Sequence, residues 1–146
     1  MRAIYDFCAL LGRLSLAAVF LGALADKLSD WEGKVRYIEN STVMEDIASV
    51  GSFWLPGAVA LLALGGASLV LGFWTRLGTL LLVVFLCTAT YFFHDFWNLD
   101  PETDEFIEER LAFAKNLAIF GGLLTVLAHG PGRFALDARG GGDGDD

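Results

Sequence analysis

Four apolar blocks separated by polar stretches limit what this chain can fold into: Phe7 to Ala25, Leu55 to Phe73, Leu77 to Phe93 and Leu111 to Ala128. A spanning helix needs roughly 17–25 mainly apolar residues to cross about 30 Å of hydrocarbon. Inside that layer each segment must satisfy its own backbone hydrogen bonds, which makes every block a helix. The blocks and their connections use up the 146 residues, 55 % of them apolar, with a mean hydropathy of +0.54. A soluble core absorbs one or two such blocks but hardly four. The expectation is therefore an all-α integral membrane protein, a four-transmembrane-helix bundle forming one domain over residues 1–139. Residues 140–146 are glycine and aspartate, an acidic tail too polar to fold.

The connections sharpen this picture. Only Trp74-Thr75-Arg76 separates the second and third blocks, so these form a tight antiparallel hairpin. Pro56 opens the second block, where a first-turn proline is tolerated, and Gly130-Pro131-Gly132 stops the fourth. In the long first loop, Asp26 to Trp54, Thr42-Val43-Met44-Glu45 has capping-box spacing. It predicts a short amphipathic helix over 43–50, with Val43, Ile47 and Val50 on one stripe, lying on the membrane surface or capping the bundle. Asn40-Ser41-Thr42 matches a glycosylation sequon, a pattern common by chance. Arg2, the run Leu14–Gly22 and Ala23-Leu24-Ala25 also have the form of a signal peptide. Arg13 would lengthen its charged region unusually, so the block is read as a span. The loop Asp95 to Glu109 is densely acidic and reads as solvated rather than metal-binding.

The net charge of −8 comes from acids in loops and tail, and no basic patch points to nucleic acid. Cys8 and Cys87 lie inside apolar blocks without a CxxC, so neither a disulfide framework nor a zinc site is indicated. Four spans put both termini on one side. That side carries Arg2, Arg13, Arg76, Arg133 and Arg139 in short segments, and the other Lys27, Lys34, Arg36, Arg110 and Lys115 in long loops. Basic density in short segments favours cytoplasmic termini. Trp31, Trp54 and Trp97 then mark the outer interface and Trp74 the inner one.

Helices in lipid associate through close packing and polar contacts. Small residues recur at a spacing of four in Ala114, Ala118 and Gly122, in Ala63 and Ala67 beside Gly65 and Gly66, and in Ala18 and Gly22. Arg13 sits roughly 9 Å inside the first block. There it either snorkels to the inner interface or pairs with a carboxylate, Asp137 or Asp6. At the other surface Asp26, Lys27, His94, Asp95, Lys115 and Asn116 can meet at the bundle mouth and hold a polar head group such as a quinone carbonyl. The plain alternative is that each caps a span or snorkels. Thr88, Thr90 and Tyr91 extend this polar trail, although such hydroxyls often bond their own helix. His94 and His129 close opposite ends of their spans, which excludes a bis-histidine haem. There is no metal-ligand cluster, no flavin or nucleotide motif, and no nucleophile–base pair.

The order of these features resembles the DoxX family of small bacterial membrane proteins. The resemblance rests on Gly12-Arg13-Leu14-Ser15-Leu16-Ala17-Ala18-Val19-Phe20-Leu21 with Asp26-Lys27-Leu28, on Leu64-Gly65-Gly66, and on Leu71-Gly72-Phe73-Trp74-Thr75-Arg76. It continues through His94-Asp95-Phe96-Trp97, Lys115-Asn116-Leu117-Ala118 and Gly130-Pro131-Gly132-Arg133-Phe134-Ala135-Leu136-Asp137. Two departures stand out: Leu62 replaces a glutamate common in the family three residues before the paired glycines, and the first loop is longer. The resemblance implies a multi-pass protein of the bacterial cytoplasmic membrane. It also implies a subunit of a thiosulfate:quinone-type or other quinone-linked oxidoreductase complex, not catalytic alone, with other redox proteins as partners. A non-catalytic accessory or scaffold subunit and a small-molecule transporter are the alternatives. The family positions carried over are Arg13, Arg76, His94, Trp97, Lys115 and Asn116.

Overall fold

A computed structural model describes residues 2–39 and 51–138. Its helices are α1 (Arg2–Ser29), α2 (Trp31–Glu39), α3 (Gly51–Leu71), α4 (Thr75–Phe93) and α5 (Asp104–His129), with a 3-10 turn at Phe96–Asn98. Four of these are long and apolar enough to cross a membrane. They run in alternating directions, so Trp31, Trp54 and Trp97 lie at one end of the bundle and Trp74 at the other. The helices overrun the apolar blocks: α1 begins before Phe7, and α5 begins at Asp104 rather than Leu111. Pro56 is inside α3 rather than at its start, because the helix already begins at Gly51.

Each spanning helix contributes to one core: Ala17 and Phe20 from α1, Leu62 and Leu69 from α3, Leu82 and Leu86 from α4, and Leu123 from α5. Phe20 meets Phe85 edge-on at 6.4 Å between ring centroids. Leu62 is fully buried in this core. A second cluster seals the opposite end, with Val35 of α2, Phe92 and Phe93 packed around Leu55. A first-loop helix therefore does cap the bundle, but the described one is α2; residues 43–50, the sequon and the acidic tail lie outside the described residues.

Glycine sets the close approach of α3 and α4. A Cβ on Gly65 would lie 2.9 Å from the Gly78 carbonyl and 2.5 Å from Leu82, and one on Gly78 would strike Ser68. On the other side of α3, Gly66 accepts the Leu21 side chain of α1. The small-residue periodicity is thus only partly used. Gly65, Gly66 and Gly122 are in contact, whereas Ala67, Ala114, Ala118, Ala18 and Gly22 face outward. A spacing of four picks out a helix face but not the neighbour that fills it.

Residues 131–138 fold back as a strap across the α3–α4 turn. The Leu136 and Asp137 amides donate to the carbonyls of Leu71 (3.4 Å) and Gly72 (2.8 Å). Asp137 accepts from the amides of Trp74 and Thr75, each at 2.8 Å. Trp74 precedes α4 in the left-handed region (φ 47°) and its own side chain caps nothing. The carboxylate therefore supplies, from 62 residues away, the cap that the start of α4 lacks. Arg13, 2 % exposed, holds the same strap by donating to the carbonyls of Pro131 (3.1 Å) and Phe134 (3.3 Å).

Arg13 is buried rather than snorkelling, and its hydrogen bonds go to strap carbonyls. The expected pairing with Asp137 exists as a through-space attraction between the two charges, without a shared hydrogen bond. Asp137 spends both oxygens on amides. Burial works against ionisation of Asp137, but the amides of Thr75 and Trp74 and the nearby Arg13 charge outweigh it, holding the carboxyl below its ordinary range. Arg76, expected with Arg13 and Asp137 as a structural charge, stands exposed on the first turn of α4.

Candidate functional site

At the end opposite the strap, α4 gives way to the 3-10 turn and α5 begins. His94 ends α4, its amide bonded to the Thr90 carbonyl at 3.2 Å. The Thr103 hydroxyl caps α5 by accepting from the Phe106 amide at 3.3 Å, and Asp104 and Glu105 suit the positive end of the helix dipole. Starting α5 there brings Glu109 round to His94, with Nδ1 and Oε2 2.7 Å apart. Glu109 therefore belongs to a helix and is hydrogen-bonded to His94, rather than standing in a solvated acidic loop. Phe96 packs edge-on against Phe106 and Phe113, and Trp97 against Phe113 (6.3 Å), which pins the turn onto α5.

Beneath this lid lies a cavity of about 270 Å³ between α4 and α5. Asn116, 8 % exposed, forms its polar floor by donating to the Thr90 hydroxyl at 3.0 Å. Asn116 has four hydrogen-bonding positions in all, so its Oδ1 and second N–H remain for a guest. Leu86 and Phe120 line the depth, and the exposed Tyr91, Trp97 and Leu117 stand at the mouth, which opens sideways from the helix pair.

Of the outer-mouth residues expected from the sequence, Trp97 and Asn116 share this cavity and the others do not. His94 is engaged by Glu109. Asp95 accepts from Asn98 at 3.0 Å, and Asp26 pairs with Lys34 at 2.8 Å. The Lys27 ammonium stands 5.6 Å from the centroid of the Phe85 ring. Lys115 is exposed on the outer surface of α5, although it neighbours Asn116 in sequence, because successive helical residues point about 100° apart. Residues the sequence reading did not single out are Phe113 and Phe120, hidden within a uniformly apolar block, and Glu109, hidden in an acidic run. Thr90 did belong to the polar trail, but its partner was not legible. Among the described residues no three His, Cys, Asp or Glu side chains come together as a metal site.

The sequence model of the DoxX family matches residues 8–95, which include most of α1, all of α3 and α4, and His94. The chain belongs to the DoxX family. The SURF4 family model overlaps it, matching residues 58–140. Inner membrane protein YqjF of Escherichia coli is 29 % identical over 139 residues, covering 94 % of this chain and 95 % of that protein. Inner membrane protein YphA of the same organism is 26 % identical over 131 residues, covering 89 % and 88 %. The surfeit locus protein 4 homolog of Schizosaccharomyces pombe is 29 % identical over 130 residues, and this chain spans only 36 % of its length. No solved structure matches. As a DoxX protein related to two inner membrane proteins of similar length, the chain is a multi-pass membrane protein whose bilayer-facing surface is its natural environment.

Proposed function

We propose that this DoxX protein binds an isoprenoid quinone in the α4–α5 cavity and serves as a subunit of a quinone-linked electron-transfer complex in the bacterial cytoplasmic membrane, with both termini cytoplasmic. The supporting observation is the buried Asn116–Thr90 pair at the floor of an otherwise apolar, aromatic-rimmed cavity that opens sideways. A quinone ring needs little more: a flat apolar slot and a donor for its carbonyl oxygen. Its isoprenoid tail lies in lipid, so a lateral mouth framed by Tyr91 and Trp97 suits entry from the bilayer. The volume lies just below the ordinary range for small-molecule sites, about 300–1,000 Å³, which fits a ring with its tail outside. The chain serves its partners by holding quinone rather than by catalysing alone.

The test is mild-detergent purification from native membranes, with quinone quantified in the lipid extract and co-purifying proteins identified by mass spectrometry. About one quinone per chain and a stoichiometric redox partner are expected. Asn116→Leu removes the donor and fills the floor. Losing one hydrogen bond and leaving a carbonyl unpaired costs about 1–3 kcal/mol, so retention should fall about tenfold or more. A redox partner without quinone would make the protein an accessory subunit. Quinone retained undiminished by Asn116→Leu would place its site elsewhere.

A further inference from the structure

A second cavity, about 490 Å³, lies between α1 and α5 near the strap, at the opposite end from the Asn116 floor. Contacts at its two ends define it. Above, a Cβ on Gly122 would meet Leu16 at 3.2 Å, and below, one on Gly132 would meet Ala9 at 3.0 Å. Between these contacts the helices part: nothing lies within 4 Å of where a Cβ on Gly12 would be, and Cys8, Ser15 and Thr125 are exposed. The groove is mostly apolar, yet Arg13 forms part of its floor.

The charge at that floor is poorly compensated. The guanidinium touches two neutral carbonyls, its Nε has no hydrogen-bond partner, and the side chain is almost wholly buried. Asp137 acts on it only through space, both carboxylate oxygens being held by the α4 amides. A cation among apolar walls with only dipoles in contact attracts negative charge strongly, because little water screens it. The groove thus combines an apolar trough facing the bilayer, a buried positive charge and an exposed serine hydroxyl. We propose that it binds an acidic amphiphile, with an acyl chain along the trough and carboxylate or phosphate oxygens drawn toward Arg13 and Ser15. This site is separate from the α4–α5 cavity and does not depend on the quinone reading.

The experiment is native mass spectrometry of the full chain in dodecylmaltoside, with oleate, phosphatidylglycerol or phosphatidylcholine added at equal concentration. One acidic molecule per chain should be retained at least about tenfold over phosphatidylcholine, the size expected for a charge-assisted contact. The oleate and phosphatidylglycerol arms separate a free fatty acid from a phospholipid. Ser15→Trp fills the trough from an exposed position without touching the strap, and should bring acidic retention down to the phosphatidylcholine level. Arg13→Gln should abolish the acidic preference, whereas Asn116→Leu should leave it unchanged. Equal retention of acidic and neutral lipids, or undiminished acidic retention by Ser15→Trp, overturns the proposal.

Discussion

Replacing Asp137 with alanine tests how a residue in the last stretch of the fold stabilises a helix in the middle of the chain. The carboxylate accepts from Trp74 and Thr75 at the start of α4. The Thr75 amide is the more buried donor, and leaving it unpaired costs about 1–3 kcal/mol. The exposed Trp74 amide can take water, so its loss adds about 0.5 kcal/mol, and losing a negative charge at a helix N-terminus adds about as much. Asp137→Ala should therefore destabilise the protein by about 2–4 kcal/mol, and Asp137→Asn, which keeps one acceptor oxygen, by about 1 kcal/mol. Arg13→Ala frees the same strap from its other side, with a comparable loss. Once either residue has released the strap, the other has little left to hold, so the double variant should lose about 3 kcal/mol rather than about 6. Unfolding by SDS in mixed micelles, followed by circular dichroism, measures all four proteins. Additive losses would refute the shared-strap account. The pH dependence has a fixed sign. The carboxyl titrates below its ordinary range in the folded state, so its stabilisation is complete above an unfolded pKa of about 3.9. It is lost as pH falls from there through the folded-state value, and Asp137→Asn should lack this component.

Three further substitutions test the packing. Gly72 has φ +65°, and a Cβ there would strike the Arg13 guanidinium and lie 2.5 Å from Ala135, so Gly72→Ala should cost at least about 2 kcal/mol through strain and overpacking. Gly121, whose Cβ position is open, should accept alanine with no loss or a gain of up to about 1 kcal/mol in the same assay. Leu82 is fully buried in the core shared by the four spanning helices, so Leu82→Ala should cost about 2–5 kcal/mol in SDS unfolding. A loss below about 1 kcal/mol would mean that the helices do not converge there.

The number of spanning helices, their approximate places and the tight α3–α4 hairpin were all legible in the sequence. Each follows from local quantities: the length of an apolar run against the thickness of a bilayer, and the few residues between two runs. Element ends were less legible, because polar residues such as Asp104 and Glu105 extend a helix beyond its apolar stretch. Other features depended on which faces meet, and a helical sequence gives a face's composition without naming its neighbour. Arg13 read as a snorkelling or ion-paired charge because the carbonyls that hold it belong to a strap 118 and 121 residues away. Asn116 and Lys115 read as one polar pair, yet the helical turn sends Asn116 to the Thr90 hydroxyl and Lys115 outward. Gly65 and Gly66 were visible as small residues, but only the packed bundle shows that one accommodates α4 and the other α1. The sequence by itself determined that this chain is a four-span membrane bundle, since hydropathy and length are properties of each segment alone. The tertiary structure decided how the strap caps α4, where the two cavities lie and which polar groups face them, because those depend on contacts between segments far apart in the chain.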